Sequence, residues 1–111
     1  MKNKCLIYCR VSTAKQAQEG ESLEIQEKIC SDFANKINKK VLKVFRDHFS
    51  GRKESRPIFE DMILYAKEHK DEIDCLIFRN IDRITRGGAA SYENLKNQFN
   101  KLNIDLFDCT G

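Results

Sequence analysis

Apolar residues fall into two alternating rhythms along this chain. Lys4-Cys-Leu-Ile-Tyr-Cys9 is a continuous apolar run that ends in a polar stretch, the pattern of a strand buried on both faces of a parallel sheet. From Leu23 to Asn38, Ile25, Ile29, Phe33 and Ile37 recur at helical spacing with Cys30 and Ala34 beside them. This predicts an amphipathic helix started by Ser22. A second strand is predicted at Val41 to Phe45. The polar stretch from Arg46 to Arg56 contains Ser50-Gly51 and leads into Pro57, a residue suited to a first helical turn, and Ile58, Phe59, Met62, Ile63 and Ala66 continue that helix. Asp74 to Phe78 reads as a third buried strand. A polar segment through Gly87-Gly88 separates it from a helix with the stripe Tyr92, Leu95, Phe99 and Leu102, and Ile104 to Phe107 is a fourth strand.

Strands alternating with helices predict an α/β fold: an open, mainly parallel sheet of four or five strands with helices on both faces. At 111 residues, with no internal repeat and no Gly/Ser-rich linker, residues 1–111 read as one domain with one core. In open sheets of this class, ligands bind outside the carboxyl ends of the strands. The residues that follow each strand are therefore the ones to inspect for chemistry.

After the first strand come Arg10, Ser12, Thr13 and Gln16. After the second come Asp47, Ser50 and Arg56, and after the third Arg79, Asp82, Arg83 and Arg86. Three segments thus bring arginine to one edge, and guanidinium forks match phosphate oxygens while keeping their charge at physiological pH. A phosphate group is the expected ligand. A serine hydroxyl in such surroundings can act as a nucleophile, because positive charge favours the alkoxide and stabilises charge building on the phosphoryl oxygens. Asp47 and Asp82 supply carboxylates, but no cluster is spaced like a two-metal nuclease site, so no metal and no cofactor are expected.

Composition changes this picture little. The chain is 41% hydrophobic and 33% charged, as soluble domains are, and 20 basic against 17 acidic residues leave a net charge of +3 that permits nucleic-acid contact without requiring it. Five cysteines form no CxxC pair, and their odd number argues against a disulfide framework; reduced thiols in a cytoplasmic protein are the expectation. Cys5 and Cys9 share a strand face with Ile7 and read as small core residues, as do Cys30 and Cys75. The single short apolar run near Met1 is too brief for a signal-peptide core or a membrane span.

Each piece has an ordinary reading as well. Ser12 or Thr13 alone could be a helix cap, a lone loop arginine is usually solvated, and His48 beside Asp47 reads as an exposed polar residue rather than a base. Coincidence at three strand ends is what raises the sharper reading above these. The rival phosphate sites fail on spacing: there is no GxxxxGK[ST] and no GxGxxG after a strand. A cysteine phosphatase loop fails too, since Arg10 is one residue too close to Cys5 and Lys15 stands where an arginine would follow Cys9.

Taken together, Tyr8-Cys-Arg10-Val-Ser12-Thr-Ala-Lys-Gln16, Asp47-His-Phe-Ser-Gly51 with Arg56-Pro57, and Ile81-Asp82-Arg83-Ile-Thr-Arg86 resemble the resolvase/invertase family of serine recombinases. The blocks stand in the family's order and span nearly the whole chain. The resemblance implies that Ser12 is a nucleophile, that Arg10, Arg56, Arg83 and Arg86 surround a scissile phosphate, and that Asp47, Asp82, Gln16 and Gln26 support them. Gln18-Glu-Gly-Glu21 before Ser22-Leu-Glu-Ile-Gln26 looks like the large serine recombinases of integrase and transposase type.

The family's chemistry would have Ser12 attack a DNA phosphodiester, release a 3′-hydroxyl and remain joined through a 5′-phosphoserine bond until a new partner strand reverses the step. Neither ATP nor metal is implied. Double-stranded DNA, a homodimer and a synaptic tetramer of the full-length protein are the implied partners. The chain stops just past the fourth predicted strand, so a fragment lacking the long dimerisation helix and the DNA-binding domains is expected. Two alternatives stand beside this: a non-catalytic DNA-binding or regulatory derivative of the same fold, and an unrelated α/β phosphoryl-transfer enzyme.

Overall fold

Cys5, Leu6, Ile7, Tyr8 and Cys9 have no exposed surface at all, the signature of a strand with neighbours on both edges and helices on both faces. In a computed structural model, which describes residues 2–12, 22–49, 57–85 and 88–109, this strand, β1 (Lys4–Ser12), lies inside a four-stranded, all-parallel sheet. The others are β2 (Lys40–Phe49), β3 (Ile73–Phe78) and β4 (Asp105–Asp108), and the spatial order is β2-β1-β3-β4. The connections carry helices α1 (Leu23–Lys36), α2 (Pro57–Glu68), the single turn α3 (Ile81–Ile84) and α4 (Gly88–Asn100). The expected α/β architecture is therefore present, with four strands.

Strand alternation splits the core in two. Leu6 and Tyr8 of β1 point to one face with Phe45, Leu76 and Phe78, where Met62 and Ala66 of α2, Ile84 of α3 and Leu95 and Phe99 of α4 cover them. Cys5, Ile7, Cys9 and Val11 point to the other face with Cys75 and Ile77, covered by Leu23, Cys30 and Ala34 of α1. Each fully buried aliphatic or aromatic side chain contributes about 1.5–3 kcal/mol of hydrophobic stabilisation. The reading of the four buried cysteines as core residues is correct.

The helices start and stop for local reasons. Ser22 caps α1 by accepting a hydrogen bond from the Ile25 amide at 3.2 Å, as expected. At the other end, Asn38 takes a left-handed φ of 61°, letting the amides of Asn38 and Lys39 return to the carbonyls of Asn35 and Ala34. Asn103, with φ 60°, does the same after α4 through the Asn100 and Phe99 carbonyls. Both asparagines turn the chain straight into a strand.

Three sequence expectations need correction. Ile25 is 50% exposed and does not belong to the buried stripe of α1, which is Leu23, Gln26, Cys30 and Ala34. The strands β1 and β2 run on through Ser12 and Phe49, so Arg10, Ser12 and Asp47 belong to strands rather than to the loops after them. Finally, the polar segment after β3 contains the helical turn α3, closed by Thr85, whose amide donates to the Ile81 carbonyl at 3.0 Å.

Candidate active site

The chain leaves β1 for one side of the sheet and returns from β2 to the other, so β1 and β3 flank the point where the strand order reverses. Crevices at such points hold ligands in open α/β sheets. Here that point is occupied by Arg10 from β1 and by the turn α3, which follows β3.

Arg10 is nearly buried, 9% exposed, and its guanidinium Nη2 donates to the backbone carbonyl of Asp82. That contact joins the carboxyl ends of β1 and β3 through a charged group. Its main chain is fixed as well: the Arg10 amide donates to Gln26 Oε1 at 3.1 Å, and Gln26 Nε2 donates to the Arg10 carbonyl at 2.9 Å. Gln26 is fully buried on the strand-facing side of α1, and both ends of its carboxamide are bonded to the strand. Ser12 lies two residues beyond this clamp, at the end of β1 and in register with Phe49.

Asp47 is the register partner of Arg10 on β2 and is 8% exposed. Its Oδ2 accepts a 2.6 Å hydrogen bond from the Tyr8 hydroxyl. The Tyr8 ring is held edge-on by Phe59 from the first turn of α2, with centroids 5.6 Å apart. Beyond β3, Arg79 and Arg83 are half-buried, the Asp82 side chain faces solvent, and the Arg83 amide bonds back to the Asn80 carbonyl at 3.0 Å.

The structure thus brings Arg10, Gln26, Asp47, Asp82 and Arg83 to one end of the sheet, with Arg79 at the end of β3. Thr13, Gln16, Ser50, Arg56 and Arg86 lie outside the described residues, and for Ser12 the backbone alone is described. His48 is exposed, as expected of a residue with no catalytic assignment. Among the described residues, no three His, Cys, Asp or Glu side chains are grouped to hold a metal ion. No described helix is long and apolar enough to cross a membrane.

Tyr8 is the residue that sequence reasoning passed over. Its signal was available in strand parity, because Tyr8 stands two residues before Arg10 on the same face, and a buried tyrosine needs a partner for its hydroxyl. Arg10 also takes on a second role. Read from sequence it faces only a phosphate, whereas in the fold it ties two strand ends together.

The family described as "Resolvase, N terminal domain" matches residues 5–111. No protein in the curated comparison matches the chain. Among solved structures, the N-terminal catalytic domain of TP901-1 integrase superposes with a TM-score of 0.81 at 31% identity, covering 96% of this chain and 78% of that one. A resolvase family site-specific recombinase from Streptococcus pneumoniae gives 0.79 at 24% identity, covering 98% and 73%. The C-terminal catalytic domain of ISC1926 TnpA, an IS607-like serine recombinase, gives 0.78 at 24% identity, covering 96% and 70%. The chain therefore belongs to the resolvase N-terminal domain family, the catalytic domain of serine recombinases, whose work is site-specific recombination of DNA.

Proposed function

We propose that this domain cleaves and rejoins DNA with Ser12 as nucleophile. The observation that carries the reading is the buried Arg10, whose guanidinium bridges to the α3 backbone two residues along β1 from Ser12, at the reversal point of the sheet. Its charge is nearly buried there, and a guanidinium shielded from solvent stabilises phosphoryl oxygens far better than it would in open water.

In the reaction, Ser12 Oγ attacks phosphorus and forms a Ser–O–P bond while the bond from phosphorus to the 3′-oxygen breaks. The serine proton leaves and the 3′-oxygen gains one, giving a 5′-phosphoserine linkage and a 3′-hydroxyl. Attack by the 3′-hydroxyl of a partner strand reverses the step. One phosphodiester is exchanged for another, so the balance requires no ATP, and the arginine side chains take the charge-neutralising role a metal would otherwise fill.

Arg10, Arg56, Arg83 and Arg86 neutralise the phosphate, with Arg79 at the margin. Asp47 and Asp82 support these groups, and Asp82 exchanges protons with the reacting oxygens. Gln26 orients Arg10, and Thr13, Gln16 and Ser50 take supporting roles toward the phosphate. Residues 1–111 form the catalytic domain of a longer, large serine recombinase that dimerises and pairs two DNA duplexes as a tetramer.

The test uses the full-length recombinase and its cognate site DNA. A covalent protein–DNA adduct is expected with the native protein and none with Ser12→Ala. An adduct that survives Ser12→Ala removes Ser12 from the chemistry.

A further inference from the structure

The face covered by α1 is rich in sulfur. Cys5, Cys9, Cys30 and Cys75 are fully buried there, and Cys109, directly after β4, is half-buried at its margin. None of the five is in a disulfide. They form two groups that differ in access. Cys5 and Cys75 are register partners on adjacent strands, both closed to solvent. The other group centres on Cys30 in the middle of α1, which packs in the same buried cluster as Cys9 and accepts from Cys109 across a 3.7 Å Sγ–Sγ separation. Only in this second group does a thiol reach the surface.

We propose that Cys30 and Cys109 are a redox-reactive pair, converted by a small-molecule disulfide such as oxidised glutathione into a disulfide that fastens α1 to the end of β4. The two residues are 79 positions apart in sequence, so their contact is made by the fold alone. A disulfide requires sulfurs about 2.05 Å apart, so the gap must close by roughly 1.7 Å, a movement side-chain rotation can supply. Both backbones are held while it does so. Cys109 extends the β3–β4 ladder by donating its amide to the Phe78 carbonyl at 3.1 Å, and Cys30 sits inside a 14-residue helix. Phe33 of α1 and Phe107 of β4 meet in the same seam with ring centroids 6.1 Å apart, which keeps helix and strand in the facing position the bond needs.

The order of events follows from access and acidity. The half-buried Cys109 thiolate attacks one sulfur of the glutathione disulfide, expels a glutathione thiolate and forms a mixed disulfide. Cys30 then loses its proton and attacks the Cys109 sulfur, releasing the second glutathione. Two protein thiols are oxidised, one glutathione disulfide is reduced, and both protons end on glutathione. Interaction with the Cys109 and Cys9 thiols together with burial pushes the Cys30 thiol up, which makes it the resolving rather than the attacking partner. The bond would close a long loop in the unfolded chain and so raise the thermal midpoint.

Trypsin separates the cysteines that matter: residues 5–10 carry Cys5 and Cys9, 29–36 carry Cys30, 71–79 carry Cys75, and the peptide after Lys101 carries Cys109. The full-length protein is incubated under native conditions with oxidised glutathione, alkylated and mapped without reduction. A peptide 29–36 joined to the Cys109 peptide, released by dithiothreitol and accompanied by a higher melting temperature, is the expected result. Cys109→Ser, with circular dichroism unchanged, should lose both the link and the temperature shift. Linkage of 29–36 to 5–10, a Cys109–glutathione adduct that leaves Cys30 open to alkylation, or five alkylated thiols would each overturn the proposal.

Discussion

The two faces of the sheet share the same strands and differ in chemistry. The face under α2, α3 and α4 is aromatic, with Tyr8, Phe45, Phe78 and Phe99 in its core, and it continues through Arg10 and Asp47 into the candidate site. The face under α1 is aliphatic and thiol-lined, and its one buried polar side chain among the described residues is Gln26. A parallel strand places alternate residues on opposite sides, so β1 builds a passive core with Cys5, Ile7, Cys9 and Val11 while building the approach to the chemistry with Tyr8 and Arg10. The lesson is that one strand can be tuned for reaction on one side without disturbing the packing on the other.

The strongest way to test this division is Arg10→Ala. DNA cleavage should fall by about 100- to 1000-fold, as when one transition-state donor is lost. Urea unfolding should show a further cost of about 1–3 kcal/mol, because the Asp82 carbonyl loses its charged partner. Loss of cleavage with no change in stability would detach Arg10 from the strand-joining role. Next are Leu76→Ala and Ile77→Ala, neighbours on β3 that point to opposite faces and are both fully buried. Each should cost about 2–5 kcal/mol. A cost below about 1 kcal/mol for Ile77→Ala would mean that the thiol-lined face is not a true core.

Tyr8→Phe keeps the ring against Phe59 but strips Asp47 of its 2.6 Å donor. About 1–3 kcal/mol of stability should be lost, with impaired cleavage, since the aromatic face carries the site. Unaltered stability would show that Asp47 does not depend on Tyr8. The smallest effect belongs to Ser22→Ala, which removes the cap of the helix on the passive face and should cost about 1 kcal/mol in thermal or urea unfolding. Cleavage by the folded protein should be unchanged.

Much of this was legible in the sequence. Apolar runs and helical stripes located four strands and three of the helices, and turn chemistry placed Ser22 and Pro57 at helix starts. The missing parts share a cause. Hydrophobic runs stop at the last apolar residue, but β1 and β2 continue into the site, where charged residues such as Arg10 and Asp47 are buried by partners distant in sequence. A single turn like α3 is too short to show a period. Gln26 was suggested by family resemblance alone, although a glutamine on the buried stripe of a helix already asks what it is bonded to.

That glutamine fills a gap in the sheet. The β1–β3 register ends at Tyr8 and Phe78, where the chain turns away toward α3, so the rung that would have met Arg10 is missing. The Gln26 carboxamide turns one N–H donor and its carbonyl acceptor toward β1, the same pair a peptide group presents, and takes up the amide and carbonyl of Arg10 as a neighbouring strand would. It is a strand one residue long, lent by a helix. The substitution lets β3 stop early and turn its next residues into α3, while the Arg10 backbone stays paired as if it still had a neighbouring strand.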